Sequence, residues 1–82
     1  MSVSCTATVK NERGIHARPS AMIAKEALKY KAEVNIAYDD RIANAKDVLQ
    51  LIMLELFQGI TVEITAKGED EEEAMEAIRK LI

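Results

Sequence analysis

A regular alternation of apolar and polar residues constrains the fold of this chain more than any other feature of its sequence. From Ile60 to Ala66 every second residue is apolar, and the same period of two runs from Val3 to Val9 and, more weakly, from Val34 to Tyr38. A strand with this period has one apolar face and one wet face. Because each strand is apolar on one face only, we predict an antiparallel sheet with helices gathered on that face, which is an α+β fold.

Turn and helix signals separate these strands. Asp39-Asp40 predicts a tight turn between the strand that ends at Tyr38 and a shorter strand at Ile42-Ala43. A first helix is predicted to begin near His16, because Pro19 suits a first turn, where its missing amide hydrogen costs nothing. The apolar residues that recur there at helical spacing are Ala17, Ala21, Ala24 and Leu28.

Two aspartates carry the start signals of further helices. Asp47, three residues before Gln50, is a capping-box arrangement and predicts a helix that ends at Leu54 or two residues later. Asp70 with Glu73 predicts a capping box for a last helix. The predicted buried stripe of that last helix is Ala74, Ala77, Ile78 and Leu81. The predicted order of elements is therefore β-α-β-β-α-β-α.

The composition limits the classes of function. A chain of 82 residues is expected to form one domain, residues 1–82, without room for an enclosed cofactor site. One cysteine and one histidine do not suffice for a structural zinc site, and a net charge of −3 with few aromatic residues argues against nucleic acid. No stretch approaches the roughly 20 apolar residues of a membrane span, and no basic-then-apolar leader opens the sequence. We therefore expect a monomeric, cytoplasmic protein with no cofactor, metal, nucleic acid or membrane insertion.

The segment from Gly14 to Ser20 carries the chemistry of this sequence. It places the only histidine, His16, where a glycine-containing loop meets a predicted helix start. The first amides of a helix lack intrahelical acceptors and, together with the helix dipole, form a site for phosphate. A neutral imidazole nitrogen is a nucleophile near neutral pH, and the forked donors of Arg18 suit phosphoryl oxygens. The alternative is that His16 is a capping or surface histidine and Arg18 a solvated charge.

At these residues the chain resembles the HPr phosphocarriers of the bacterial sugar phosphotransferase system and their nitrogen-related paralogues. The motif G-I-H-A-R-P-S matches at Gly14 to Ser20, and further matches lie at Ala45-Lys46, from Leu54 to Gly59 and from Gly68 to Asp70. The resemblance spans the whole chain. It implies an open-faced β-sandwich in which a four-stranded antiparallel sheet is covered on one face by three helices.

The resemblance also implies a site and its partners. His16 corresponds to the histidine that phosphoenolpyruvate-dependent Enzyme I phosphorylates on Nδ1, and the phosphoryl group then passes to a IIA-type protein or domain. Arg18 matches the active-site arginine of the family, and Ala17 and Pro19 belong to the helix start that supports the phosphoryl group. The protein is then expected to be a phosphoryl carrier and not an enzyme.

A partner surface is expected beside His16, because both partners must approach the same ring. The resemblance places it at Met22, Lys25, Val48, Leu49 and Ile52. Among these residues we expect Met22 and Leu49 to be exposed. Lys25 and Lys29 are expected to add weak positive charge at the rim, and the alternative for both is an ordinary solvated helix face. The alternative is that Leu51, Ile52 and Met53 belong to the core.

Asp47 departs from the family pattern. Many members have a serine at this position, which a dedicated kinase phosphorylates, and aspartate cannot take that modification. Control by the HPr kinase is therefore in doubt, and whether the carboxylate imitates a phosphoserine stays open. As an N-cap, aspartate is as good as serine.

Two other functions remain compatible with the sequence. One is a nitrogen-type or purely regulatory relay, in which the same chemistry serves an acceptor that is not a sugar transporter. The other is an α+β module that binds a ligand or partner without a covalent histidine, because one fold can serve many functions.

Overall fold

The computed structural model describes residues 2–10 and 17–82, which form a four-stranded sheet and three helices. The strands are β1 (Ser2–Thr8), β2 (Glu33–Tyr38), β3 (Arg41–Asn44) and β4 (Thr61–Lys67). The helices are α1 (Ala17–Ala27), α2 (Val48–Met53) and α3 (Glu71–Leu81). This is the predicted order of elements. None of these helices is long and apolar enough to cross a membrane.

The sheet has the order β1-β4-β2-β3, and every pair of neighbouring strands is antiparallel. Its side chains alternate between two faces, as the sequence predicts. In β4, Val62 and Ile64 are buried on the face that meets the helices, whereas Thr61 and Glu63 are exposed on the opposite face. The sheet therefore has one covered and one open face, and the predicted α+β, open-faced β-sandwich is confirmed.

The helices pack on each other and on the covered face of the sheet. α1 contacts α2 and α3, and α3 contacts β1 and β4. In α1 the predicted spacing identified the helix but not its buried face, because Ala21 and Leu28 are exposed. Ile23 is 1% exposed, and this large side chain gains more from burial than an alanine does. The buried face of α1 carries Ser20, Ile23, Ala24 and Ala27.

The buried stripe predicted for α3 is confirmed in its centre. Ala74 and Ile78 are fully buried in this helix. Ala77 and Leu81 are half-buried, so they lie at the flanks of the stripe.

β2 and β3 form a hairpin whose two-residue loop is Asp39-Asp40, as the sequence predicts. Tyr38 pairs with Arg41 across this loop, and Asp39 has a φ of 60°. The turns of two-residue hairpins require a positive φ, and aspartate is one of the few residues besides glycine that tolerate it. The hairpin places β3 at one edge of the sheet, where it contacts α2.

Asp47 begins α2 as the predicted N-cap, but the reciprocal bond of the predicted capping box is not made, because the Asp47 amide donates to the carbonyl of Asn44 at 3.0 Å. Oδ1 of Asp47 accepts hydrogen bonds from the amides of Leu49 at 3.0 Å and Gln50 at 3.2 Å. The side chain of Gln50 donates from Nε2 to Oδ2 of Asp47 at 3.2 Å, and its Oε1 accepts from the amide of Asn44 at 2.9 Å. The helix ends at Met53, one residue before Leu54, the nearer of the two predicted ends.

The capping box predicted for α3 is wrong. Asp70 occupies the N-cap position, but its side chain makes no hydrogen bond to the helix. Its carboxylate instead accepts from the amides of Lys31 at 3.0 Å and Ala32 at 2.9 Å, which lie between α1 and β2. Glu71, and not Glu73, reaches back to a backbone amide ahead of the helix, at 3.0 Å. Asp70 therefore ties α3 to the α1–β2 connection.

This tie predicts a pH-dependent stability. The hydrogen bond from the Lys31 amide lowers the pKa of Asp70 below its usual 3.8, and the hydrogen bond from the Ala32 amide makes a smaller contribution in the same direction. Because the pKa is lower in the folded state, the ionised carboxylate stabilises the fold above the unfolded pKa, and this contribution is lost as the pH falls through the folded pKa. We expect Asp70→Asn to lower the free energy of unfolding at neutral pH and to match wild type more closely in acid.

Urea unfolding of both proteins at neutral pH and well below pH 3.8 measures this effect. Glu69→Gln is the matched control, because it neutralises a neighbouring side chain that is 80% exposed. A loss of stability in Asp70→Asn that is equally large at both pH values would contradict the assignment.

Candidate functional site

The first turn of α1 directly follows the only histidine of the sequence. His16 lies in the segment 11–16, which is outside the described residues, as is the side chain of Ala17. The helix begins at Ala17, close to the predicted start, and Pro19 is in its first turn. Arg18 is exposed, Pro19 is half-buried and Ser20 is fully buried. The helix start is therefore as predicted, and the roles of His16, Ala17 and Arg18 in chemistry stay predictions.

The guanidinium of Arg18 has no acidic partner among the described residues. The first turn of α1 contains no acidic residue. Within residues 2–10 and 17–82, no carboxylate lies within 4.0 Å of the Arg18 nitrogens. The positive end of the helix dipole favours negative charge at the same place. Arg18 therefore offers a charged fork of donors to an anion at a helix start, where the first amides of a helix lack intrahelical acceptors.

α1 and α2 each carry exposed apolar side chains. Met22 lies four residues after Arg18, so it is on the same face of α1, and it is 54% exposed. Leu49 and Met53 are likewise four residues apart on α2, and they are 65% and 66% exposed. The two helices contact each other. We refer to Met22, Leu49 and Met53 as the α1–α2 surface.

The exposure that the sequence predicted for Met22 and Leu49 is confirmed. Val48 and Ile52 are half-buried, so they contribute less exposed surface than these two residues. Lys25 is exposed on α1. Whether any of these residues contacts a partner stays a prediction.

Met53 was not among the residues predicted for the partner surface. A six-residue helix buries few side chains, and in α2 only Leu51 is fully buried. The signal that could have identified Met53 is its spacing of four residues from Leu49, which places both on one helix face. Position relative to Leu51, and not hydrophobicity, decides which apolar residues of α2 are exposed.

The fold defines a class of protein, the small open-faced β-sandwich with a four-stranded antiparallel sheet and three helices. The family model described as "PTS HPr component phosphorylation site" matches residues 3–82. The chain therefore belongs to the HPr family. The members of this family are phosphocarriers of the phosphotransferase system and not catalysts, which confirms the predicted family and supports the prediction of a carrier.

Individual proteins show the same relationship. The chain is 41% identical over 63 residues to the phosphocarrier protein HPr of Buchnera aphidicola subsp. Acyrthosiphon pisum, covering 77% of this chain and 74% of that protein. It is 39% identical over 70 residues to the HPr-like protein Crh of Halalkalibacterium halodurans, covering 85% and 83%. The crystal structure of HPr from Bacillus anthracis str. Ames matches with a TM-score of 0.94 at 32% identity, covering 99% of this chain and 96% of that one.

Proposed function

We propose that this protein carries a phosphoryl group on Nδ1 of His16, which it accepts from phosphoenolpyruvate-dependent Enzyme I and passes to a IIA-type protein or domain. The acceptor serves sugar uptake or its regulation. The observation that carries the proposal is the exposed Arg18 at the start of α1, two residues after the only histidine and without a carboxylate partner among the described residues. Membership in the HPr family supports the carrier role.

The transfer requires positioning and charge neutralisation more than acid-base chemistry. The phosphorus–nitrogen bond to the donor histidine breaks as the bond to Nδ1 of His16 forms, and the same exchange in reverse serves the acceptor. Arg18 and the first amides of α1 stabilise the phosphoryl oxygens. A helix-dipole interaction at an exposed site contributes about 0.3 to 1 kcal/mol, which holds the group without preventing its release.

The α1–α2 surface is the proposed contact for both partners. Donor and acceptor need the same histidine ring, so they bind in turn and one surface has to fit both. The side chains of Met22 and Met53 are flexible and adapt to different partner surfaces. Lys25 extends this surface with a positive charge, whereas Lys29 is engaged by Glu26 at 3.0 Å.

Arg18→Ala should slow phosphotransfer roughly 10- to 100-fold, because hydrogen bonds to charged groups contribute about 1.5 to 3 kcal/mol. The melting temperature should barely change, since Arg18 is exposed and makes no ion pair with the described residues. Arg18→Lys should recover only part of the rate, because an ammonium group lacks the planar fork. The rates are measured by quenched-flow phosphorylation with Enzyme I.

Lys80→Ala is the matched control for Arg18→Ala. It removes the same charge from another exposed helix position, in the last turn of α3. Its transfer rate should equal that of wild type. A large fall in melting temperature for Arg18→Ala together with a normal transfer rate would assign Arg18 to the fold instead.

A further inference from the structure

Glu55 has a backbone conformation that is unfavourable for its residue type. Its φ is 55°, in the left-handed region, which glycine adopts without cost and which asparagine and aspartate tolerate best among the other residues. Within residues 2–10 and 17–82, the other non-glycine residue with a positive φ is Asp39, in the hairpin loop. Among these described residues, Glu55 alone has a long side chain in this conformation.

Two buried leucines explain why the backbone turns at this position. Leu54, the C-cap of α2, is 2% exposed, and Leu56 is 1% exposed. Between them, the amide of Glu55 donates to the carbonyl of Ile52 at 3.1 Å, which closes the end of the helix. Many helices end on a left-handed residue in this way, and that residue is usually glycine. The fold therefore requires the turn, but it does not require a glutamate.

The charge of Glu55 adds a second cost. The C-terminal end of a helix carries partial negative charge, which disfavours an acidic side chain there. The Glu55 side chain is exposed, and no lysine or arginine of the described residues lies within 4.0 Å of its carboxylate. No ion pair within this part of the chain therefore compensates for the glutamate. A conformation that costs stability and that the fold does not use points to a function.

Glu55 follows the α1–α2 surface along the chain. Met53 of that surface is two residues earlier, and it is 66% exposed. The exposed charges on the α1 side are positive, at Arg18 and Lys25. The carboxylate of Asp47, at the other end of α2, is already bound by amides of its own helix. Glu55 therefore adds an unpaired negative charge at the α2 end of a surface whose α1 side is positive.

We propose that Glu55 is a specificity-determining residue, whose carboxylate pairs with a lysine or arginine of the proteins that dock over His16. This inference rests on the proposed phosphocarrier function. Because donor and acceptor use one surface in turn, both have to present a cation at the matching place. Complementary charges fix the register of an interface, and a partner with an acidic residue there is repelled. Glu55 thus lowers the stability of the fold and raises the selectivity of docking.

Glu55→Gly should make the fold more stable and phosphotransfer less efficient. Glycine adopts the left-handed backbone without strain, so the urea midpoint should rise above that of wild type. Loss of the ion pair should raise the KM for phosphorylated Enzyme I roughly 2- to 5-fold at low salt, because an exposed pair contributes modestly to binding. The kcat should not change, since the reacting groups are untouched. Urea unfolding and steady-state phosphorylation by Enzyme I measure the two effects.

Two further variants separate the charge from the backbone. Glu55→Gln removes the charge but keeps the length of the side chain, so it should raise the KM as much as Glu55→Gly with a smaller gain in urea midpoint. Glu55→Lys reverses the charge and should raise the KM about tenfold. These differences should shrink as the ionic strength rises, because exposed charges are screened. Glu63→Gln is the matched control, since it removes an exposed charge from the open face of the sheet, and its KM should equal that of wild type.

Either of two results would overturn the assignment of Glu55. One is an equal KM for wild type, Glu55→Gln and Glu55→Lys at low salt, because the carboxylate would then have no partner in the complex. The other is a lower urea midpoint for Glu55→Gly, which would show that the glutamate serves the fold. In both cases wild type would still be phosphorylated on His16, and the proposed function would stand. Absence of any phosphorylation of wild type would overturn the proposed function and the role of Glu55 together.

Discussion

Replacing His16 with alanine should abolish phosphorylation of this protein by phosphoenolpyruvate and Enzyme I. His16 is the only imidazole of the sequence, and it directly precedes α1, whose first amides attract phosphate. Intact-mass measurement should find one added phosphoryl group on wild type and none on His16→Ala. The group on wild type should be lost in acid, as phosphoramidates are, whereas a phosphate ester would persist.

Ser20→Ala is the control for this experiment, because Ser20 carries a hydroxyl only four residues from His16. The Ser20 side chain is 0% exposed, and its Oγ has no hydrogen-bond partner among the described residues. A partner protein cannot reach a hydroxyl buried in this way, so Ser20→Ala should be labelled like wild type. Labelling of folded His16→Ala under the same conditions would contradict the proposed site.

Gly68→Ala should destabilise the fold more than any other exchange proposed for this protein. Gly68 has a φ of 150°, and a Cβ at this position would lie 2.7 Å from the backbone Cα of Ala32. Backbone strain costs about 1 to 3 kcal/mol, and the clash adds about 1 to 3 kcal/mol, so we expect a loss of roughly 2 to 6 kcal/mol. Small domains have a total stability of about 5 to 15 kcal/mol, and urea unfolding therefore resolves the change easily.

Gly59→Ala separates the two causes. Gly59 also has a positive φ, of 92°, but apart from its two chain neighbours no described residue has a heavy atom within 4 Å of the position of its Cβ. This variant should show the strain alone and lose less stability than Gly68→Ala. Equal losses in the two variants would mean that the close approach to Ala32 is not what requires glycine at position 68.

The sheet could be predicted from the sequence because each strand is determined by a local period. In β4, the alternation from Ile60 to Ala66 identifies both the strand and its buried face, since successive side chains of a strand point to opposite faces of the sheet. The β2–β3 hairpin is also determined by local sequence, because the loop at Asp39-Asp40 lies within a few residues of both strands. Interactions that depend on neighbours in sequence were therefore predicted well.

The errors arose where the relevant partner is distant in sequence. Asp70 stands three residues before Glu73, which is the spacing of a capping box, yet its carboxylate binds amides at Lys31 and Ala32. No local pattern contains those partners. The buried face of α1 was missed for a different reason, because alanines fit either face of a helix and only Ile23 distinguishes them.

The candidate site was predicted unevenly. His16 and Arg18 stand out because their residue types and positions carry the chemistry, and the motif around them indicates the family. The exposure of Met53 depends instead on how α2 turns around Leu51, which is a property of packing that apolar residues in a short helix do not reveal. The motif therefore indicates the reactive side chains, but it does not show which neighbouring apolar side chains are exposed.

The position of β4 bears on how this chain folds during synthesis. β4 is the last strand to leave the ribosome, yet it lies between β1 and β2 and pairs with both. Until Thr61–Lys67 has emerged, β1 has no strand to join, and the only part of the sheet that can form is the β2–β3 hairpin. Native pairing of β1 therefore waits for a contact 53 residues away, between Thr8 and Thr61, and the nascent chain exposes both edges of β1 in the meantime.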